Sequence, residues 1–274
     1  MIRIFSILVG LFFTTVLAWS ALVGGINLAK EGHLPTSVEK QFGKHPEPLH
    51  LSSDGVFGHF DKQQLQRGLK VYQEVCAACH SLKHVAFRDL KALGYNDDEV
   101  KAIAKPYQIP VYNAATGEVK SRAGLPTDKF PPVAYGGQGV PPDLSLITKA
   151  RHGGAPYVHS LLLGYADPAT YKNEEGKPLP KENYPGNGLH FNPYFANLNI
   201  SMPQPLTSDG QVTYSDGTKA TKDQMAQDVA AFLVWTAEPK QDKRRQTGWV
   251  VLGFLLFATV LAYMAKRQIW ADKH

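Results

Sequence analysis

The chain of 274 residues is long enough for one or two domains with a buried core, and 43% of its residues are hydrophobic against 19% charged. Its formal net charge is +5, but four of its 29 basic and one of its 24 acidic residues lie in or beside the two apolar ends, which leaves +2 for residues 30–246. This balance excludes the dense basic surface of a nucleic-acid-binding protein. Two cysteines, Cys76 and Cys79, also exclude a disulfide framework.

The first apolar segment predicts an export signal. Residues 4–29 carry no charge, and Arg3 precedes them. Small residues flank Trp19 and offer a cleavage site, although the apolar run continues beyond it. A buried core helix is a weaker interpretation, because core helices are rarely apolar on every face. We interpret residues 1–29 as an export signal, with a retained N-terminal membrane segment as the alternative.

A second uncharged segment, residues 246–265, predicts a transmembrane anchor. Twenty helical residues measure about 30 Å, the thickness of the hydrocarbon core of a bilayer. Trp249, Tyr263 and Trp270 lie where interfacial aromatic residues are expected. Basic residues flank both ends, with four before the span and three after it, so that charge alone would place the large domain inside the cell. We give more weight to the export signal, and expect residues 266–274 to form a cytoplasmic tail.

Two amphipathic helices are predicted between the apolar ends. Residues 61–80 carry Leu65, Leu69, Tyr72 and Val75 at helical spacing and lead directly into the cysteines. The other helix begins at Thr221, whose hydroxyl and the Gln224 side chain would form a reciprocal capping box. It ends before Pro239, and its buried face comprises Met225, Val229, Phe232, Leu233 and Thr236.

The remaining middle of the chain predicts few further elements. Residues 97–105 and 156–163 are candidate short helices. Glycine, proline, asparagine and aspartate are frequent in three stretches that we interpret as loops, at 105–124, 131–143 and 173–188. One small hairpin is predicted at 212–218, with its turn at Asp216-Gly217. Because few helices and long loops bury little surface, we expect a large apolar group at the centre of residues 30–245.

The cysteines belong to the sequence Cys76-Ala77-Ala78-Cys79-His80, the C-x-x-C-H pattern of covalent haem attachment. Two thiols at this spacing add to the two vinyl groups of one porphyrin, and the adjacent imidazole binds the iron. A zinc half-site is the first alternative, but the sequence has no third cysteine. A thioredoxin-like redox pair is the second, but the preceding residues predict a helix where that motif needs a strand.

A candidate for the second axial ligand of the iron is found by elimination among the four methionines of the sequence. Met1 lies in the export segment, Met264 in the predicted span and Met225 on the apolar face of a helix. Met202 remains, and prolines at 203 and 205 stiffen the backbone around it. A methionine with only a packing role, or a second histidine as ligand, is the alternative. The histidines considered for that role, none with a partner pattern, are His84, His152, His159 and His190.

Several motifs in combination resemble the cytochrome c1 family, the haem c subunits of cytochrome bc1 complexes. The resemblance extends from about residue 54 to the C-terminus. It is carried by the C-x-x-C-H pattern after RGLKVYQEV at 67–75, the segment PPDLSLITKARHGG at 141–154, SLLLGY at 160–165, FNPYF at 191–195, SMPQPL at 201–206 and SDGTKATKDQMAQDVAAFLVWTAEP at 215–239 before the C-terminal span.

The resemblance implies a fold and a set of site residues. The fold would be mainly α, a cytochrome c-type haem domain with long loops plus one C-terminal transmembrane helix. One haem c would be bound covalently by Cys76 and Cys79, with His80 and Met202 as the axial ligands of its iron. Arg151 would meet a haem propionate and Tyr157 would lie close to the haem, although Arg151 taken alone is typical of a solvated turn. The additional cysteine pair of many bacterial members is absent from this sequence.

The resemblance also implies a function. The chain would carry single electrons from the Rieske iron–sulfur protein to a soluble or tethered cytochrome c. It would act beside cytochrome b in the inner membrane of a bacterium, with its haem domain in the periplasm, as an electron-transfer subunit and not as an enzyme by itself. A membrane-tethered cytochrome c shuttle to a terminal oxidase is one alternative, and a peroxidase or gas-binding haem protein is the other.

Two groups of acidic residues are candidates for docking a basic cytochrome c. The first group comprises Asp97, Asp98 and Glu99, and the second comprises Glu174, Glu175 and Glu182. The alternative is that both groups are solvated loop residues.

Overall fold

The computed structural model describes residues 2–31, 37–112, 114, 117–137 and 139–273, and it separates the chain into two compact units, Met1–Phe42 and Gly43–His274. The first unit contains helix α1, Ile2–Glu31, and the short helix α2, Val38–Phe42. Every side chain from 3 to 27 is exposed, and the segment Arg3–Asn27 is long and apolar enough to cross a membrane. The export-signal interpretation of this segment stays a prediction.

The second unit is mainly helical, which confirms the predicted fold class. Its described residues form two antiparallel strand pairs, β1 with β2 and β3 with β4. In chain order its elements are α3 (Lys62–Val71), a π-helical turn (Tyr72–Cys76), a 3₁₀ helix (Phe87–Leu93), α4 (Asp97–Ala104), β1 (Gln108–Tyr112), β2 (Val119–Ala123), α5 (Ile147–Ala150), α6 (Gly154–Leu163), a 3₁₀ turn (Lys181–Asn183), β3 (His190–Phe191), β4 (Asn199–Ile200), α7 (Lys222–Ala237), α8 (Gln241–Trp270) and a last 3₁₀ turn (Ala271–Lys273). We refer to residues 43–240 as the head.

Both predicted amphipathic helices are present, and their predicted apolar residues are buried except for the half-buried Val75. The predicted capping box of α7 is only half right. The Thr221 hydroxyl accepts a hydrogen bond from the Gln224 amide at 3.1 Å, as expected. However, the Gln224 side chain donates to Asp228 instead, and the Thr221 amide donates to the Lys219 carbonyl. A stronger, charged acceptor on the next turn thus takes the side chain that would have closed the box.

Helices α3 and α7 cross at Gly68 and form the centre of the head. A β-carbon at Gly68 would lie 2.1 Å from the Asp228 carbonyl oxygen and 2.6 Å from the Phe232 β-carbon. Only glycine lets the two backbones approach this closely. Around the crossing, Tyr72, Phe232 and Trp235 are almost completely buried and form the aromatic part of the core.

An ion pair ties the two helices together beside this crossing. The Arg67 Nε atom lies 2.9 Å from Asp228, which is fully buried, and its Nη1 atom lies 2.8 Å from Asp216. Burial alone would lower the pKa of Arg67, but its hydrogen bonds to Asp228 and Asp216 outweigh this and raise the pKa. The Tyr214 ring lies 5.8 Å from the guanidinium. The buried Asp228 carboxylate of α7 is thus paired with Arg67, so that its charge in the core is compensated.

The loop predictions are partly wrong. Residues 108–112 and 119–123 form a hairpin, paired in register from Gln108 opposite Ala123 to Tyr112 opposite Val119. Nearly all of its side chains are exposed, so no alternation of apolar and polar residues indicated it. The predicted hairpin at 212–218 is wrong, since these residues form no strand; the Asp216 side chain accepts from the Thr218 amide within a turn and from Arg67. The predicted short helices are confirmed, with α6 beginning two residues earlier than expected.

Helix α8 contains the predicted C-terminal span. It is long and apolar enough to cross a membrane, and its side chains from 249 onward are almost all exposed. Its first residue, Gln241, is buried in the head and donates a hydrogen bond from Nε2 to the Ser53 carbonyl at 2.9 Å. The helix therefore begins within the head, without a linker between them.

The crossing of α3 and α7 gives a prediction for stability. Replacing Gly68 by alanine should lower the free energy of unfolding by about 1–3 kcal/mol, because the new methyl group must push two packed backbones apart. Thermal and denaturant unfolding of the full chain in detergent measures this change. Gly186→Ala is the matched control, since a β-carbon there meets nothing within 4 Å, and it should be nearly neutral. Equal effects of both substitutions would contradict the argument.

Candidate functional site

One cavity of about 590 Å³ brings together every site residue predicted from the sequence. Its walls come from the π-helical turn after α3 and the C-x-x-C-H segment, the loop before α5, helix α6, the segment after β4 and one face of α7. The predicted residues in its lining are Cys76, Cys79, His80, Arg151, Tyr157 and Met202. Residues 126 positions apart in the chain thus face the same space.

The C-x-x-C-H segment follows a π-helical turn at the end of α3. The Ala77 amide donates to the Tyr72 carbonyl at 2.7 Å, and the amides of Cys79 and His80 then both donate to the Cys76 carbonyl. Such a turn shifts the register of the helix and often occurs at functional sites. The buried Tyr72 hydroxyl donates to the His80 carbonyl at 2.8 Å and fixes the end of the segment to the core. The helix thus delivers two thiols and an imidazole to one wall of the cavity.

A hydrogen bond selects one tautomer of the neutral His80 ring. Its Nδ1 atom lies 2.8 Å from the Pro142 carbonyl oxygen. Since a carbonyl only accepts hydrogen bonds, Nδ1 is the donor, and the lone pair of the neutral ring lies on Nε2. A backbone carbonyl in this role is typical of histidines that bind a metal, because it orients the ring and raises its basicity.

The Met202 segment is fastened at both of its ends, to α6 and to Tyr165, two residues beyond the end of α6. At the near end, the Tyr165 hydroxyl donates to the Met202 carbonyl at 2.9 Å. At the far end, the fully buried Asn192 donates from Nδ2 to the Leu161 carbonyl at 2.8 Å. Between them, the buried Leu198 has φ 66°, a backbone conformation that costs energy for a residue other than glycine. The thioether is therefore carried on a constrained loop.

Arg151 and Tyr157 lie at the rim. Arg151 is exposed, and Tyr157 is half-buried at the start of α6. Burial raises the pKa of the Tyr157 hydroxyl, and the neighbouring Arg151 guanidinium opposes that rise. Together they place one positive charge and one neutral donor beside a mainly aliphatic interior, an arrangement suited to a carboxylate at the mouth of the cavity.

The geometry separates the predicted ligands from the alternatives. Among the described residues that line the cavity, His80 is the only histidine and Met202 the only methionine. His159 instead pairs with Asp223 at 3.0 Å and lines a different cavity of about 350 Å³, and the His190 ring contacts Tyr165. Burial, with the neighbouring Cys79, raises the pKa of the Cys76 thiol to about 12. This keeps it neutral, unlike the thiolate of a redox pair.

The donor set and the lining fit an iron porphyrin. Aliphatic side chains such as Ile147, Leu161 and Val229 face the cavity, so that only a large apolar group would remove them from water. A neutral imidazole and a thioether are established axial ligands of haem iron, and the two thiols stand at the attachment spacing. The residues present can therefore hold a haem c.

Three supporting residues were not identified from the sequence. In the sequence, Tyr72 is only one apolar position of the predicted helix at 61–80. The residues with which Tyr165 and Pro142 form their hydrogen bonds lie tens of positions away in the chain. Nothing local in the sequence indicates that a tyrosine hydroxyl donates to the carbonyl of a residue 37 positions later. All three do lie within or beside the motifs that carried the family resemblance.

Comparison with known proteins agrees with this geometry. A sequence model of the Cytochrome C1 family matches residues 51–273. Cytochrome c1 of Rhodospirillum rubrum is 42% identical over 266 residues, which cover 92% of this chain and 94% of that protein. The mitochondrial heme protein cytochrome c1-2 of Solanum tuberosum is 40% identical, over 79% of this chain and 82% of its own length. The cytochrome b-c1 complex catalytic subunit of Candida albicans is 39% identical, over 84% and 79%. The chain belongs to the cytochrome c1 family.

Proposed function

We propose that this protein is a membrane-anchored cytochrome with a single covalent haem c, and that it transfers electrons as a subunit of a cytochrome bc1 complex. The observation that carries the proposal is the cavity in which the C-x-x-C-H segment and Met202 meet. The haem would supply one-electron oxidation and reduction. The names of the relatives from Solanum tuberosum and Candida albicans support the cofactor and the complex.

Each residue of the cavity has a distinct task in this proposal. Cys76 and Cys79 would hold the haem through thioether bonds, and His80 and Met202 would hold its iron. The Pro142 carbonyl keeps the proton on Nδ1 of His80, so that Nε2 is available to the metal. The aliphatic lining excludes water, and Arg151 with Tyr157 would neutralise a propionate at the rim. With both His80 and Met202 on the iron, no position would stay open to small molecules, which would suit electron transfer and oppose a peroxidase or gas-binding role.

The direction of electron flow belongs to the same proposal. The donor would be a Rieske iron–sulfur protein and the acceptor a cytochrome c, with cytochrome b as the neighbouring subunit. Of the acidic residues considered for docking, several are already paired within the head. Asp97 pairs with Lys91, Asp98 with Lys101 at 2.9 Å, and Glu175 with Lys177 at 2.7 Å. Docking of a basic cytochrome c at these groups stays a prediction, with part of their charge already neutralised.

The arrangement in the membrane is proposed from the two apolar helices. Residues 1–29 would direct export, 30–245 would form the haem domain in the periplasm, 246–265 would span the bacterial cytoplasmic membrane and 266–274 would lie in the cytoplasm. The length and exposure of α8 support the anchor.

Spectroscopy and purification together test this function. A pyridine haemochrome spectrum of the expressed chain should show one haem c per polypeptide, and it should be lost in a Cys76→Ala, Cys79→Ala variant. Mild purification from native membranes should bring down cytochrome b and an iron–sulfur protein. A covalent haem without these partners would favour the tethered shuttle, and absence of a covalent haem would refute the proposal.

Replacing Met202 by leucine tests the axial ligand. Leucine has similar volume but no lone pair, so the midpoint potential should fall and the ferrous iron should bind carbon monoxide. Redox titration and carbon monoxide difference spectra measure both effects. Met225→Leu is the matched control, because Met225 is fully buried in α7 outside the cavity lining, and it should change neither property. An unchanged potential in Met202→Leu would exclude Met202 as ligand.

Replacing Tyr165 by phenylalanine tests whether its hydroxyl positions Met202. Loss of one hydrogen bond to the Met202 carbonyl, worth about 0.5–1.5 kcal/mol, should favour dissociation of the thioether by about twofold to twelvefold. The weak near-infrared absorption of iron–methionine coordination should then disappear at a lower pH than in the parent chain. Tyr112→Phe, at an exposed position of β1, should leave this pH unchanged. Equal behaviour of both variants would show that the hydroxyl has no positioning role.

A further inference from the structure

The loop of residues 53–60 lies next to the start of α8. Its Phe57 is the most exposed phenylalanine among the residues that the structure describes. Phe57 is 83% exposed and its neighbour Val56 is 63% exposed. Neither is part of the core, and burying an apolar side chain of this size completely is worth roughly 1.5–3 kcal/mol, most of which is not gained here. Adjacent exposed apolar residues of this kind mark contact surfaces more often than isolated ones do.

The stacking of Phe57 on Trp249 indicates which surroundings this loop contacts. The two ring centroids lie 5.3 Å apart with the planes only 7° from parallel. Trp249 is in α8, about one helical turn into the uncharged segment that begins at residue 246. Phe57 therefore lies at the same level along α8 as Trp249. In a spanning helix that level is the interface between lipid and water, where aromatic side chains are enriched.

Several hydrogen bonds hold the loop at this level. The Arg245 guanidinium donates from Nη1 to the carbonyls of Ser53 at 2.9 Å and Gly58 at 2.6 Å. The Phe60 amide donates to the Asp242 carboxylate at 3.2 Å, and Gln241 adds its bond to Ser53. The loop is thus fastened to the first turns of α8 on both sides of Phe57. If α8 spans a membrane, its position therefore sets the height of the loop relative to the membrane surface.

The charges around the loop suit a phospholipid surface. Lys240, directly before α8, and Lys243, in its first turn, are exposed on the head side of the apolar segment. The nearby carboxylates are turned to backbone groups, since Asp54 accepts from the Leu51 amide and Asp242 from the Phe60 amide. The two lysines thus lie on the head side of Val56 and Phe57. Positive charge followed by apolar side chains matches the order of phosphate groups and acyl chains in a lipid leaflet.

We propose that the 53–60 loop is a second membrane contact, in which Val56 and Phe57 enter the lipid–water interface beside Trp249. This inference rests on the proposed anchoring of the chain by α8. It adds that the head lies against the phospholipid surface at this loop and does not hang from a flexible tether. The loop, α8 and the bilayer then fix the angle at which the head leaves the membrane.

Spin-label depth measurements on the full haem-loaded chain test this contact. The chain is placed in nanodiscs of phosphatidylcholine and phosphatidylglycerol, and a nitroxide is attached at Val56→Cys, which retains Phe57, and separately at Phe57→Cys. The ratio of accessibility to oxygen and to a water-soluble nickel chelate reports depth. Leu255→Cys in the middle of α8 gives the bilayer value, and Lys120→Cys on the exposed strand β2 gives the water value. The parent chain, whose cysteines would be consumed by the haem, should take up no label.

Labels at 56 and 57 should show an oxygen-to-nickel ratio several-fold above that at 120 and below that at 255. A ratio equal to that at 120 would place the loop in water and overturn the inference. Low accessibility to both reagents would mean that protein covers the loop, which also overturns the assignment to lipid. If the label at 255 itself behaves as in water, the proposed anchoring fails instead, so the two failures are distinguishable.

Discussion

The close crossing of α3 and α7 at Gly68 is the constraint on which the rest of the head depends. Because no side chain separates the backbones there, α3 runs directly over α7, and the π-helical turn that continues it ends at Cys76, in the cavity that Val229 and Leu233 of α7 also line. The π-helical turn after α3 then rotates the C-x-x-C-H segment, and the Tyr72 hydroxyl fixes its last residue. One glycine thus determines where two thiols and an imidazole stand relative to the apolar wall opposite them.

The candidate site is built on this rigid pair of helices, while its other half is carried on loops. Met202, Arg151 and Pro142 all belong to irregular segments, which on their own would not hold a thioether within bonding reach of a metal. They are held because the Leu161 carbonyl of α6 and Tyr165 just after α6 are attachment points, and because His80 forms a hydrogen bond to Pro142. In the proposed holoprotein the haem would join both halves, so its loss should loosen the loops more than the crossing helices.

The sequence predicted the parts of this arrangement whose signals are local. Helical spacing gave α3 and α7, and the thiol spacing with a process of elimination gave Cys76, Cys79, His80 and Met202, all of which line one cavity. The supporting hydrogen bonds of Tyr72 and Tyr165 were missed because their acceptors are fixed only by tertiary structure. The hairpin of β1 and β2 was missed for a different reason: almost all of its side chains are exposed, so strand periodicity left no trace in the sequence.

The same distinction explains why the role of the 53–60 loop is visible only in the structure. In the sequence, Val56 and Phe57 are two apolar residues among glycines and polar residues, typical of any loop that sends a side chain inward. In the structure their side chains face outward, and the hydrogen bonds of Arg245 keep them beside Trp249. A long helix that begins with a buried Gln241 transmits its orientation to the head through these contacts. For a protein proposed to exchange electrons with partners at the membrane surface, that orientation fixes the height and the direction of the haem cavity.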